Sequence, residues 1–386
     1  MIAYNNEWLR NLLIRNQADK AHETSCISKT EKEQVYNAYP VGFYTPNIFV
    51  RIGLFILTVI IVTFSLGLFS LLFMEHTEQL GILFVFFGLL VYAGLEMMVR
   101  NRHYKSGVDD ALIWMAAGNI IGGLNATTTI LPLVNALLIF AMALFLFLRF
   151  TGMVMAAIAS LALLAVIFYS LVQLGPITKA IMPFVIMTAS ALMYFFVQQQ
   201  LANKKWKQYA SGLQSISVTA LVCLYAAGNY YIVREASISM FNLSLQPGQD
   251  IPFGWLFWLF TVAIPVIYIV RGIQKKDAIL LRVGLLLVAA VVFTVRFYYH
   301  LLPAEIVMVT GGVVFIGIAY ALIKYLHEPK YGFTYKEQQH DSMLMDKLHA
   351  ESLVIAQTFS GPSLPPDTGT QFGGGTGSGG GASSAY

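Results

Sequence analysis

Ten runs of mostly apolar residues follow one another between positions 52 and 325, and they restrict this chain more than any other feature. They lie at about 52–73, 80–99, 108–125, 130–149, 153–174, 179–198, 212–233, 253–271, 278–297 and 303–325. Each is close to the roughly 20 residues that cross a hydrocarbon core. Within lipid, every backbone N–H and C=O must find its partner inside its own helix or a closed barrel. Barrel strands alternate polar and apolar side chains, and these runs do not. The expected fold class is an all-α polytopic membrane protein of about ten transmembrane helices. A soluble domain has roughly 45–50% apolar and about 25% charged residues. Here the shares are 57% and 11%, with a mean hydropathy of +0.66.

Lysine and arginine give the orientation, because they accumulate in cytoplasmic loops. With both termini cytoplasmic, 21 of the 24 basic residues fall inside. Only Lys179, Arg234 and Arg296 fall outside. An odd number of spans would destroy that bias. The first outer loop, 75–79, carries Glu75, His76 and Glu78 but no basic residue. The formal charge of +4 is therefore a matter of topology, and no nucleic-acid partner is expected.

Four segments are expected. Residues 1–46 form a cytoplasmic amphipathic helical hairpin. Its first helix lies between Asn5 and Lys20, with Trp8, Leu9, Leu12 and Leu13 as one stripe. Its second starts at Ser28, where Ser28 and Glu31 fit a capping box, and ends before Pro40. No apolar signal segment lies in these residues, so no cleavable signal peptide is expected. Residues 47–326 form the transmembrane domain. Residues 327–358 form a cytoplasmic segment whose 342–358 helix uses Leu344, Leu348, Leu353 and Ile355. Residues 359–386 are rich in Gly, Ser and Pro and are expected to be disordered.

The most polar approach to any span is at 100–125, RNRHYKSGVDDALIWMAAGNIIGGLN. Asp109 and Asp110 stand at the cytoplasmic start of the third run. Carboxylates there suit the positive end of the helix dipole and cap free N–H groups. The alternative is an acid pair at a cytoplasmic gate. Adjacent helical residues point about 100° apart, so the two acids are not expected to share a proton. Asn119 lies deeper. A buried amide in lipid usually bonds to another helix, and Asn135 is the expected partner. Asn119 and Asn135 are also the candidates for a polar path. Gly118 and Gly122 have the spacing that lets helices approach closely. Glu96 with Arg282, towards the cytoplasmic face, and Arg296 with Glu305, towards the outer face, are candidate ion pairs.

Other chemistry is sparse. The seven histidines show no ligand spacing, and the two cysteines, Cys26 and Cys223, are too few for a disulfide framework. No metal and no cofactor are expected. Gly375, Gly377 and Gly380 match a dinucleotide fingerprint only in a low-complexity tail, with no strand or helix around it. Trp255, Trp258, Tyr298 and Tyr299 read as interfacial anchors. An inverted five-plus-five transporter plan would need a broken first run, and that run has no proline and no charge.

The turn Cys26-Ile27-Ser28-Lys29-Thr30-Glu31, followed by a short helix and many spans, resembles the start of the DUF2157 group of bacterial membrane proteins. Cys26 stands where that group usually has glycine. The Gly-rich end, with Gly381-Ala382-Ser383 and a terminal aromatic, resembles the tails of some TPM-domain proteins. These resemblances imply a bacterial inner-membrane, multi-pass protein and bring no catalytic residues. The expected function is non-enzymatic. The hairpin or the C-terminal tail would bind a cytoplasmic protein, and the lipid bilayer would surround the rest. The alternatives are a small-solute or lipid transporter with a polar path near Asn119 and Asp109/Asp110, and a membrane enzyme built on residues 100–110.

Overall fold

The structure, a computed structural model, describes residues 2–23, 25–71, 80–175, 177–241 and 250–298, with a few single positions between 312 and 324. The chain divides into two units, Met1–Leu322 and Ile323–Tyr386. All that follows concerns the first. Glu305, most of the tenth apolar run, the 342–358 helix and the Gly-rich tail lie outside the described residues.

Every element among the described residues is helical. A two-helix hairpin comes first, α1 (Asn6–Glu23) and α2 (Lys29–Ala38). Long helices follow: α3 (Ile48–Leu71), α4 (Leu80–Arg100), α5 (Val108–Thr127), α6 (Pro132–Phe150), α7 (Met153–Gln173) and α8 (Ile177–Ala202). A 3-10 turn (Lys204–Tyr209) leads into α9 (Ala210–Gly228), α10 (Tyr230–Phe241), α11 (Gly254–Lys275) and α12 (Ala278–Tyr298). Eight helices among the described residues are long and apolar enough to cross a membrane. α5 has 20 residues but carries Asp109, Asp110, Asn119 and Asn125, and is not among the eight. The seventh expected run, 212–233, is not one continuous helix. It breaks at Asn229, whose backbone is extended between α9 and α10.

The exposed surface identifies the solvent. α3 has 24 residues, and only Val62 is buried. Phe64 is 77% exposed and Leu68 is 69% exposed. Apolar side chains presented this densely around a helix require lipid as the surrounding medium. The chain is therefore an integral membrane protein in contact with the bilayer.

The interior holds three clusters of buried residues. At the hairpin end, Leu95, Leu112, Leu146, Phe147, Phe150 and Ala156 form a core shared by α4 to α7. Among the later helices, Leu221, Ile264, Tyr268, Val283 and Leu287 join α9, α11 and α12. At the far end, Tyr230, Val233, Ile251 and Phe257 close the bundle. α4 and α5 approach backbone to backbone. A Cβ on Gly123 would lie 2.5 Å from the Gly81 carbonyl oxygen, and one on Gly88 would lie 2.7 Å from Ile120. Gly118 and Gly122 face open space instead. The close approach uses a different glycine face of α5 from the one its spacing suggested.

Candidate functional site at the hairpin end

The capping box forms as its residues suggest. The Glu31 N–H donates to Ser28 Oγ at 3.3 Å, and the Ser28 N–H donates to Glu31 Oε2 at 2.7 Å. The bond from the Ser28 N–H holds the Glu31 carboxyl below its ordinary range. α1 and α2 are tied by Asp19, which accepts from Tyr36 Oη at 2.8 Å and pairs with Lys32 at 2.7 Å. Arg15 donates to the carbonyls of Tyr36 and Tyr39, both at 2.7 Å. α2 buries none of its residues.

The hairpin is fixed to the bundle through its first residues. The Ala3 N–H donates to the Arg149 carbonyl at 2.9 Å, at the end of α6. Tyr4 is 4% exposed and meets Tyr104 edge-on at 4.8 Å, with Phe43 and Phe150 also edge-on to it. Tyr44 makes one parallel bridge with His103, and its N–H donates to the Arg102 carbonyl at 3.0 Å. The loop after α4 thereby becomes a seat for the segment after α2.

Asp109 lies beneath that seat and is 1% exposed. Its Oδ2 accepts from the Lys105 N–H at 2.7 Å and from Tyr4 Oη at 3.3 Å. Its Oδ1 accepts from the Ser106 N–H at 2.8 Å and Ser106 Oγ at 3.1 Å. Burial, together with the Asp109 carboxylate, pushes the Tyr4 phenol well above its ordinary range, so Tyr4 remains a donor. Gly107 makes the turn possible. Its φ is +93°, and a Cβ there would lie 2.1 Å from the Arg51 carbonyl oxygen. Asp110 points elsewhere and takes the Arg51 guanidinium, with Nε at 3.1 Å and Nη2 at 2.5 Å. The two acids have different partners.

Two expected pairings are corrected. Glu96 does not pair with Arg282. Its carboxylate takes a two-pronged bond from Arg149 of α6, at 2.5 and 2.9 Å, and a third bond from Tyr92 Oη at 2.8 Å. Arg149 sits on the neighbouring helix end, and its planar fork suits a carboxylate. Asn119 does not bond Asn135. Its Nδ2 donates to the Met115 carbonyl at 2.7 Å, one turn back on its own helix. Asn135 accepts instead from Asn125 Nδ2 at 3.0 Å. The 128–131 turn brings those two positions together, while Asn119 lies more than one turn deeper. Arg296 is exposed near the end of α12, and its expected partner Glu305 lies outside the described residues.

A second polar layer, at the far end, was not foreseen. Asn229 is 1% exposed and donates to Tyr225 Oη at 2.8 Å and Thr294 Oγ1 at 3.0 Å. Its Oδ1 accepts from the Ile232 N–H at 3.2 Å. The Tyr230 N–H, released by the helix break, donates to Thr261 Oγ1 at 2.9 Å. The signal was available in the sequence, since Gly228 and Asn229 stand together late in an apolar run. Among the described residues, no three His, Cys, Asp or Glu come together in a way that would hold a metal.

Chemically, the hairpin-end site is closed. Both oxygens of Asp109 and of Glu96 and the Oδ2 of Asp110 are engaged by groups of this chain, which suits fixation of the hairpin. No family model matches the chain, and no curated protein or solved structure is significantly similar to it.

Proposed function

We propose that this chain is a DUF2157-like, non-enzymatic protein of a bacterial inner membrane that acts by presenting its N-terminal hairpin to a cytoplasmic protein. In this reading the chain has ten spans, counting α5 and 303–325, with both termini in the cytoplasm. The observation that carries it is the contrast within the hairpin. Tyr4 and Leu9 are buried in the membrane domain, while α2 buries nothing and turns Glu33, Gln34 and Asn37 outward. A polar helix held to α1 through Lys32 and Tyr36, with its other face turned outward, fits a platform for another protein. The 21-to-3 distribution of basic residues supports the orientation.

The test is co-purification from native membranes, comparing the parent with a Glu33→Ala, Gln34→Ala, Asn37→Ala variant. A protein that is lost with the variant supports the platform. The same partners with both, or none with either, would sink it.

The break at Asn229 favours a second reading, a small-solute or lipid transporter. The break follows a full-length apolar segment, Trp206–Gly228, and so lies at the far end of the bundle; broken helices hold substrates in many transporters. In that case the path lies by Asn229 rather than Asn119. Asn229→Leu would abolish uptake or lipid movement in reconstituted vesicles, and Asn119→Leu would not.

A further inference from the structure

The cations at the hairpin-bearing side fall into two groups with different surroundings. Residues 1–51, 96–110 and 149 carry ten Lys and Arg against eight Asp and Glu. Much of that charge is used internally: Arg51 by Asp110, Arg149 by Glu96 and Lys32 by Asp19. Arg102 and Lys105 also lie over the rings of Trp8 and Tyr104.

The turns between α8 and α9 and between α11 and α12 differ. The 3-10 turn contains Lys204, Lys205 and Lys207. The other turn has Arg271, Lys275, Lys276 and Arg282, of which all four are exposed. Across 203–209 and 271–282 there are seven cations and one acid, Asp277. That acid is engaged in starting α12. Its Oδ1 accepts from the Ile279 N–H at 2.9 Å and the Leu280 N–H at 3.3 Å.

Tyr194 of α8, more than two turns before that helix ends, lies against the Asp277 carboxylate and packs on the cluster of Leu280 and Tyr268. The α11–α12 turn is tight: a Cβ on Gly272 would lie 2.8 Å from the Leu281 backbone nitrogen. Lys276 closes α11 with φ +53°, a conformation glycine adopts without steric cost and lysine does not.

We propose that the α11–α12 turn binds the headgroup of an anionic phospholipid, with Arg271, Lys275 and Lys276 supplying the charge. Basic clusters flanking spans attract anionic headgroups, and apolar helix faces beside them accept the acyl chains. This surface does not depend on what the hairpin binds.

The test uses the full chain purified in a neutral detergent, with thermal unfolding followed as lipid is added. Phosphatidylglycerol should raise Tm, whereas phosphatidylcholine and inorganic phosphate should leave it unchanged. In an Arg271→Gln, Lys275→Gln, Lys276→Gly variant, the apparent affinity for phosphatidylglycerol should fall about a hundred-fold, at roughly five-fold per cation. An Arg10→Gln, Lys29→Gln, Arg100→Gln variant, matched in charge, should keep the parent's response. If the triple variant fails to fold, Lys276→Gly alone relieves the backbone and should weaken binding about five-fold. The proposal is overturned if the turn variants respond like the parent. It is also overturned if the matched variant loses the response equally, or if inorganic phosphate stabilises as well as the lipid.

Discussion

Asp109 shows how a buried carboxylate is made tolerable. A charge without solvent is costly unless it is hydrogen-bonded, and here two backbone N–H groups and two hydroxyls converge on it. Removing the acceptor is worse than removing one donor, because several buried donors then lose their partner. Asp109→Ala should cost about 3 kcal/mol and Tyr4→Phe about 1 kcal/mol, the latter because one long bond is lost from a group that keeps three others. Thermal unfolding in detergent checks both, and equal effects would contradict this ranking. Glu31 is the opposite case, an exposed carboxyl whose pKa is lowered by the Ser28 N–H. A group with a depressed folded pKa stabilises above its ordinary pKa, and that contribution disappears as pH falls through the lowered value. Amide protection in residues 29–38, taken relative to the intrinsic exchange rate at each pH, should therefore be flat from neutral pH down to the ordinary carboxylate range and fall below it. Glu31→Gln should remove that acid-side step.

At the level of helices, the sequence shows where helices exist but not which faces meet. The first six, the eighth and the ninth apolar runs, the Ser28–Glu31 cap and the proline starting α6 are local features, and each appears where its residues suggest. Gly118 and Gly122 carry the familiar four-residue spacing, yet the pair in contact is Gly81 with Gly123. Spacing marks a face as thin; it does not say what is opposite. Glu96 fails in the same way. Its depth was legible, but several cations share that depth, and only the fold brings Arg149 to it. Tyr4 was illegible for a related reason, since an aromatic near a chain end has no periodic neighbours to reveal burial. The α4–α5 crossing provides a direct measurement. Gly123→Leu would force a side chain into the Gly81 and Val85 backbone and should cost about 3 kcal/mol. Gly122→Leu faces open space and should stay within about 0.5 kcal/mol of the parent. Comparable losses for both would mean that the crossing face is wrongly assigned.

For the whole molecule, sidedness follows from how the helices alternate. α3 leaves the hairpin end, and α4 returns to it; α6, α8 and α11 likewise end on the side where α5, α7, α9 and α12 begin. The hairpin, the 101–107 turn, the 3-10 turn and the α11–α12 turn therefore share one face, and that face holds most of the basic residues. Positive charge is retained on the cytoplasmic side, so the orientation proposed here has a chemical handle. Cys26 is exposed at the α1–α2 turn, while Cys223 is half-buried within α9. In a Cys223→Ser variant, a membrane-impermeant maleimide should label Cys26 in inverted vesicles and leave it unlabelled in right-side-out ones. The reverse pattern would invert the topology. The count of ten adds one more requirement, because residues 303–325 must return the chain to the side on which α12 begins. A reporter that is active only in the cytoplasm, fused after Leu326, should therefore be active. Silence from that fusion, with Cys26 still labelled from the inside, would leave the chain with an odd number of crossings.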